Sequence, residues 1–348
     1  MRMATTAPAE ALLEAPADGW RHRYARHPVA TFLLWRVAAG ILTLLVVTMV
    51  IFAVLQIIPG NVTQIVLGRN ATPDRIAAIN ASLHLNESVP TRYLSFLGGV
   101  VTGHFGDSSA ALAQGQTLSV WHAIRTPLGN SLVLAGITTV LFIPLSLFFG
   151  MVAALRAGRP TDSILSLTAL TLGAMPEFLI GTLLIVIFFA QLNLLPPVSL
   201  IPAGQTPLGN PKELVLPVLT LLGVSTAFGS RLLRASMIEV LGEDFVAMAR
   251  LNGYRERRVV FRYALRNALA PSAQILAQQI QYLIGGIIVV ESVFSYPGIG
   301  SKLVQAIQVR DTQMVTIIAT IIAAIYILIN ILADLAVVLL VPKLRTRA

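Results

Sequence analysis

Apolar positions run along this chain in long unbroken blocks, not in the alternating or every-third rhythm of a soluble fold. Six blocks approach or exceed the roughly 20 residues that an α-helix needs to cross a hydrocarbon core. The first, residues 37–58, holds no charge. The second covers about 128–155, and the third about 163–189, interrupted by Pro176 and Glu177. The fourth, about 214–230 with a possible extension to 240, is the shortest. The fifth covers about 269–290, and the sixth, 314–341, contains one acid, Asp334. Shorter apolar pieces such as 96–101 fall below spanning length. The pattern predicts an all-α polytopic membrane protein with six transmembrane helices.

Composition agrees with this pattern. Of 348 residues, 55% are hydrophobic and 12% charged, about half the usual soluble share of roughly 25%. A water-soluble enzyme and a disordered chain are both excluded on these grounds. Cysteine is absent, which removes disulfides, thiolate metal sites and a cysteine nucleophile. The polar N-terminus lacks the apolar core of a cleavable signal peptide. Residues 5–18, rich in Ala, Pro and acids, look like a flexible tail, and the first span acts as an uncleaved anchor.

The net charge of +9 first reports orientation. Segments 1–36, 156–162, 231–267 and 342–348 hold 18 of the 25 Lys and Arg residues. Basic residues collect on the cytoplasmic side, so both termini are expected inside. The layout is then a cytoplasmic tail (1–36), a first span (37–58), an extracytoplasmic subdomain (59–127), and a five-helix core (128–341). That core carries a cytoplasmic loop (231–267) and an outer loop (291–313), and a short inner tail (342–348) closes the chain. No internal repeat stands out, and the basic excess gives no reason to expect nucleic acid.

The outer insertion, after Thr72-Pro73-Asp74, has helical spacing at Ile76, Ala77, Ile79, Leu83 and Leu85. It reads either as a lid packed on the membrane surface or as a platform for an extracytoplasmic partner. The inner loop is more informative. Glu243 and Asp244 open a short helix where negative charge suits the dipole. Phe245, Met248, Ala249 and Asn252 fall at i, i+3, i+4 and i+7 and make one compact face. Gly253 stands at the helix-ending position, where a left-handed backbone favours Gly. A second helix from about Glu256 sets Val259, Val260, Tyr263 and Ala264 against Arg257, Arg258, Arg262 and Arg266. Pro271 then falls in the first turn of span five. Such a loop either lies on anionic lipid or presses against a protein partner.

Polar groups inside the spans also need reasons, because a central acid costs about 2.5–3.5 kcal/mol on insertion scales. Asn330 and Asp334, at i and i+4 on span six, share a face and suggest an interhelical clasp. Glu291, near the outer end of span five, either stays wet or hydrogen-bonds the 294–300 loop. Glu177 either lines a pathway or satisfies backbone freed by Pro176. Gln274, Gln278 and Gln281 form a polar stripe on span five, facing a pathway or a partner subunit; Gln279 lies off it. No catalytic residue set and no metal-binding spacing is found. No Gly-x-x-x-x-Gly-Lys-Ser/Thr loop exists for ATP.

The inner loop is also where a family resemblance is carried. Gly242-Glu243-Asp244-Phe245-Val246-x-x-Ala249-Arg250-x-x-Gly253, then Glu256-Arg257-Arg258-Val259, then Ala264-Leu265-Arg266-Asn267-Ala268-Leu269-x-Pro271 resembles the coupling loop of ABC importer permeases. It is closest to the B-type permease of the dipeptide/oligopeptide/nickel branch. Four further stretches are similar to that family in order: Leu55-x-x-Ile58-Pro59-Gly60; Gly103-His104-Phe105-Gly106-Asp107-Ser108 with Asn130-Ser131-Leu132; Val290 through Gly300, including Phe294, Tyr296, Pro297 and Gly298; and Asn330, Asp334 and Pro342-Lys343-Leu344-Arg345. The chain departs from the family pattern at Ala247, Val341, His104, Asn61-Val62 and Glu177.

The resemblance implies the type I ABC importer permease fold in a prokaryotic inner membrane. It implies a second homologous permease (a heterodimer), two cytosolic ATPase subunits that hold ATP and Mg, and an extracytoplasmic binding protein. The 243–253 helix would seat in an ATPase groove and turn closure of the ATPases into alternating access. The substrate class implied is di- or oligopeptides, with nickel chelates or another small solute as the alternative. An ATP-independent secondary transporter and an intramembrane hydrolase are rivals from other classes, but no repeat, ion-coupling acids or nucleophile set supports either.

Overall fold

The computed structural model describes residues 28–57, 86–202 and 204–340, with Thr72 and Ala77. The expected helix after Thr72, the Pro59-Gly60 turn, most of the N-terminal tail and the Pro342–Arg345 close lie outside the described residues.

Helix α1, Pro28–Ile57, begins nine residues before the charge-free block. Apolar positions 32–35 continue the block past Arg36, and Arg36 has an acidic neighbour described below. The amphipathic α2, Val89–Thr102, lies against α1, where the Tyr93 hydroxyl donates to the Leu45 carbonyl at 3.0 Å and the Phe52 and Phe96 rings are 5.9 Å apart. After the short α3, Ser109–Ala113, comes α4, Val120–Leu155. It starts eight residues before the expected span and carries Pro127 and Pro144 inside.

The third span is broken. Helix α5, Pro160–Ala174, and α6, Glu177–Ile185, meet at 107°, and α6 continues as a π-helical turn, Val186–Gln191. Met175 and Pro176 are both extended, with ψ of 134° and 149°. Pro disfavours helical geometry in the residue before it, and two consecutive extended residues swing the chain through nearly a right angle. The interruption expected at Pro176 is thus a sharp turn between two half-helices.

Helix α7, Pro211–Leu241, is longer than the sequence block because most of it is enclosed by protein, so it needs less apolar surface for lipid. It packs along α4, α5, α6 and α10. The loop after α7 forms α8, Asp244–Leu251, and α9, Glu256–Arg258. A π-helical segment, Val259–Leu265, joins α9 to α10, Arg266–Val293. The helix entering span five therefore runs on from Glu256, and Pro271 lies inside it, not in its first turn. Helix α11, Ile299–Gln308, and α12, Thr312–Leu340, complete the fold.

Among the described residues, five helices (α1, α4, α7, α10, α12) are long and apolar enough to cross a membrane, or six if the bent pair α5–α6 is counted as one span. The main core is formed by α4, α7 and α10 through Leu134, Phe142, Leu221, Leu283 and Val290, with Phe294 and Tyr296 closing its end. A second core joins α4, α11 and α12 through Ile124, Ile299 and Ile318. Near the α4–α5 turn, Asp162 is buried and holds Arg234 of α7 bidentately at 2.6 and 2.7 Å. Its oxygens also accept from the Gly158 N–H and the Ser166 hydroxyl, so the charge pair is almost fully satisfied.

Candidate functional site

The loop between spans four and five, 231–267, folds into a small platform. Helix α7 passes almost directly into α8 through Gly242 and Glu243, whose N–H groups bond Glu239 and Val240 carbonyls. Glu243 precedes the helix and Asp244 sits in its first turn; the Glu243 side chain makes no cap hydrogen bond. At the other end Gly253 has φ +76°, and the Tyr254 N–H reaches back to the Ala249 carbonyl at 3.3 Å. This is the backbone geometry of a glycine-terminated helix. Asn252 is the residue just after the helix, exposed.

Burial divides α8 differently from the expected face. Val246 (0% exposed) and Ala249 (3%) face inward and pack with Val259, Val240, Leu241 and Tyr263. Ala249 therefore does not belong to the outward surface. That surface is Phe245 (41% exposed), Met248 (58%) and Leu251 (82%). Leu251 was not singled out by the i, i+3, i+4, i+7 pattern. The identity of the inward side could have revealed it, since Val246 and Ala249 are the apolar pair that fits beneath Val259.

Charges brace the platform from outside. Arg250 meets Glu256 at 2.9 Å, and this holds the Glu256 carboxyl below its usual range. The Tyr254 and Tyr263 rings stack at 5.7 Å, and the Arg258 guanidinium sits 4.7 Å over Tyr254. On the membrane side Val260 and Ala264 of the second helical stretch are buried against Ala154, Leu233 and Met237. The loop is thus locked to α4 and α7 while Phe245, Met248 and Leu251 are left uncovered.

A cavity of about 820 Å³ lies between α1, α10 and α12, with the start of α6 at its wall. It contains many of the polar groups expected inside the spans. Asn330 and Asp334 do share a face of α12, but each meets a different helix. The Gln281 amide of α10 donates to the Asn330 carbonyl oxygen at 2.8 Å. Arg36 of α1 lies 3.2 Å from Asp334, a charge contact whose N–H is not aligned on the carboxylate oxygen. Glu177 lines the same cavity and faces the Tyr282 hydroxyl. Gln278 is exposed and does not line it, so the glutamine stripe does not act as a unit there. The Gln274 side chain lies outside the described residues, and Gln279 buries an unpaired amide oxygen.

The loop between α10 and α11 is organised by a buried acid. Glu291 is fully enclosed, and its carboxylate accepts from the N–H groups of Gly300 at 2.7 Å and Ser301 at 3.2 Å and from the Ser131 hydroxyl. It bonds the loop instead of staying wet. The Ser131 hydroxyl in turn accepts the Ile299 N–H at 2.8 Å. Asn130 donates to the Pro297 carbonyl and the Tyr296 hydroxyl donates to the Asn130 carbonyl, both at 2.8 Å. Gly298 leaves room for the carboxylate: a Cβ there would overlap it. Phe294 and Tyr296 are fully buried, which makes them anchors of the loop and not a contact surface.

A further buried acid, Asp311, was not anticipated. It accepts from the Met314 N–H at 3.1 Å, the Ser109 N–H at 3.0 Å and the Ser108 hydroxyl. One carboxylate caps α12 and pins the stretch after Gly106-Asp107. The readable signal was an acid three residues before the Met314 N–H at a helix start.

Two family models match. Residues 146–346 match the binding-protein-dependent transport system inner membrane component, and residues 29–117 match the N-terminal part of such membrane components. A probable peptide ABC transporter permease protein, y4tP, of Sinorhizobium fredii is 32% identical over 317 residues, covering 91% of this chain and 100% of its own length. The oligopeptide transport system permease protein AppB of Bacillus subtilis is 28% identical over 318 residues, covering 91% and 99%. A solved amino acid ABC transporter with histidines is similar at a TM-score of 0.47 and 18% identity, over 61% of this chain and 92% of its own.

Proposed function

This chain belongs to the family of binding-protein-dependent transport system inner membrane components, and from that premise we propose that it forms half of a translocation pathway for di- or oligopeptides. It is a multi-pass inner-membrane permease subunit of a peptide-related ABC importer and not itself an enzyme. A second homologous permease supplies the other half of the pathway. Two cytosolic ATPase subunits hold ATP and its magnesium, since the chain has no phosphate-binding loop of its own. An extracytoplasmic binding protein delivers the peptide.

The observation that carries the coupling role is the uncovered apolar face Phe245–Met248–Leu251 on a helix whose opposite side, Val246 and Ala249, is locked to the base of the spans. Apolar groups exposed on one side of a short rigid helix gain by entering a groove on a partner. Because α8 follows α7 directly and α9 leads through the π-helical segment into α10, movement imposed on α8 is passed to two core spans. The Glu243 and Asp244 charges and Asn252 at the two ends of α8 form the polar rim of that contact. Closure of the ATPases then rocks the spans between outward and inward access.

The chain has no cysteine, so a Met248→Cys variant provides a single attachment point. In the assembled complex its crosslinker should join this subunit to an ATPase subunit and to no other component. Crosslinking to lipid-facing or binding-protein components alone would overturn the assignment.

A further inference from the structure

The cavity between α1, α10 and α12 has an unbalanced charge. Three of its lining residues are of the acidic or basic type: Arg36, Glu177 and Asp334. Arg36 and Asp334 answer each other at 3.2 Å. Glu177 faces the Tyr282 phenol, a neutral donor, and among the described residues no cation pairs with it. The wall therefore holds one carboxylate in excess.

That carboxylate is held in place by backbone. Glu177 opens α6 immediately after the 107° turn, with Met175 and Pro176 extended before it. The free N–H groups of the helix start make this a favourable position for an acidic side chain. On the opposite side α10 approaches through Gly286, where a Cβ would stand 3.2 Å from Glu177 Oε1. The missing side chain gives the carboxylate its space beside span five. The surrounding polar groups, Gln281, Asn330, Tyr282 and Tyr326, are neutral. A carboxylate without a cationic partner in an apolar-walled cavity is costly, and a visiting cation relieves that cost.

We propose that Glu177 is a counter-charge site for a cationic side chain of the transported peptide, a lysine ammonium or an arginine guanidinium beyond the terminal ammonium that every peptide carries, so that this permease favours basic peptides over neutral ones of similar size. The proposal rests on the peptide-permease reading above. The amides and phenols around Glu177 would take the peptide's own hydrogen-bonding groups without selecting charge.

The test uses the complete transporter in proteoliposomes, with its binding protein saturated by either a lysine-containing dipeptide or the isosteric norleucine-containing one. Initial uptake rates are compared for the wild type, Glu177→Gln and Glu177→Asp. The binding protein is identical in every arm, so its preference cancels when ratios are compared between variants. Glu177→Gln should lower the basic-to-neutral ratio roughly tenfold, the scale of one charge-assisted hydrogen bond, with neutral uptake kept. Glu177→Asp should retain most of the ratio. An unchanged ratio in Glu177→Gln overturns the proposal, as does equal loss of both peptides in both variants, which would make Glu177 a residue of the fold. Failure of the wild-type complex to carry either peptide overturns instead the peptide-permease reading.

Discussion

Glu291 accepts the N–H of Gly300 at 2.7 Å and so ends one span by starting the next helix. The acid lies in the last turn of α10, and Gly300 lies in the first turn of α11. A fully buried carboxylate persists there because two N–H groups of a helix start and one hydroxyl satisfy it. Replacing it with Ala leaves those donors without an acceptor. Glu291→Ala should destabilise the protein in detergent by about 3 kcal/mol or more, read from thermal or denaturant unfolding. Gly298→Ala should also destabilise, because its Cβ would overlap the same carboxylate. Wild-type stability in both would contradict the capping role.

Asp311 does comparable work one element later. Asp311→Ala removes an N-terminal cap of α12 and the anchor of Ser108 and Ser109. A loss of about 1–2 kcal/mol is expected from the cap alone, and more where the Ser109 N–H is left unpaired. Hydrogen exchange should show the amides of Ser109 and Met314 losing protection together. Loss at Met314 alone would mean that the outer segment is held by other contacts.

The Arg36–Asp334 contact should be weak. Both groups are partly exposed, at 43% and 22%, and the N–H is not aligned. A double-mutant cycle with Arg36→Ala and Asp334→Ala should give a coupling below about 1 kcal/mol. A coupling several times larger would show that the ends of α1 and α12 are clamped.

Glu256 gives a pH signature with a definite sign. Its carboxyl is held below the usual range by Arg250. The brace thus contributes above the unfolded-state value and is lost as pH falls through the lowered one. Both partners are exposed, so the effect is small and salt-screened. Wild type should lose slightly more stability than Glu256→Gln on acidification, and high salt should remove the difference. An acid response identical in the two proteins at low salt would contradict it.

Much of this architecture was legible in the chain, and the exceptions have physical reasons. Six apolar blocks predicted six spans; five described helices are long and apolar enough to be spans, and the bent pair α5–α6 takes the place of the remaining block. Charge-free length misjudged α1, because Arg36 sits within the helix and has Asp334 beside it. It misjudged α7 because a helix surrounded by protein need not be apolar all round. Pro176 signalled a break but not its angle, which depends on two successive extended residues. Helical spacing found the α8 face but placed Ala249 on it, because spacing alone does not say which side meets Val259. The bond of Glu291 to the 294–300 loop was one of two readings of the sequence, but the part of Ser131 was unreadable, since 160 positions separate it from Glu291.

The central claim is that the free face of α8 transmits ATPase closure to the spans. The most direct measurement is peptide-stimulated ATP hydrolysis by the assembled complex carrying Phe245→Asp with Met248→Asp, compared with wild type. Both side chains are exposed, so the variant should insert, fold and assemble its spans normally, while stimulation by the loaded binding protein falls to the basal rate. Gly253→Pro should act in the same direction, because φ +76° is closed to Pro. Full stimulation in the double variant, with uptake intact, would contradict the account.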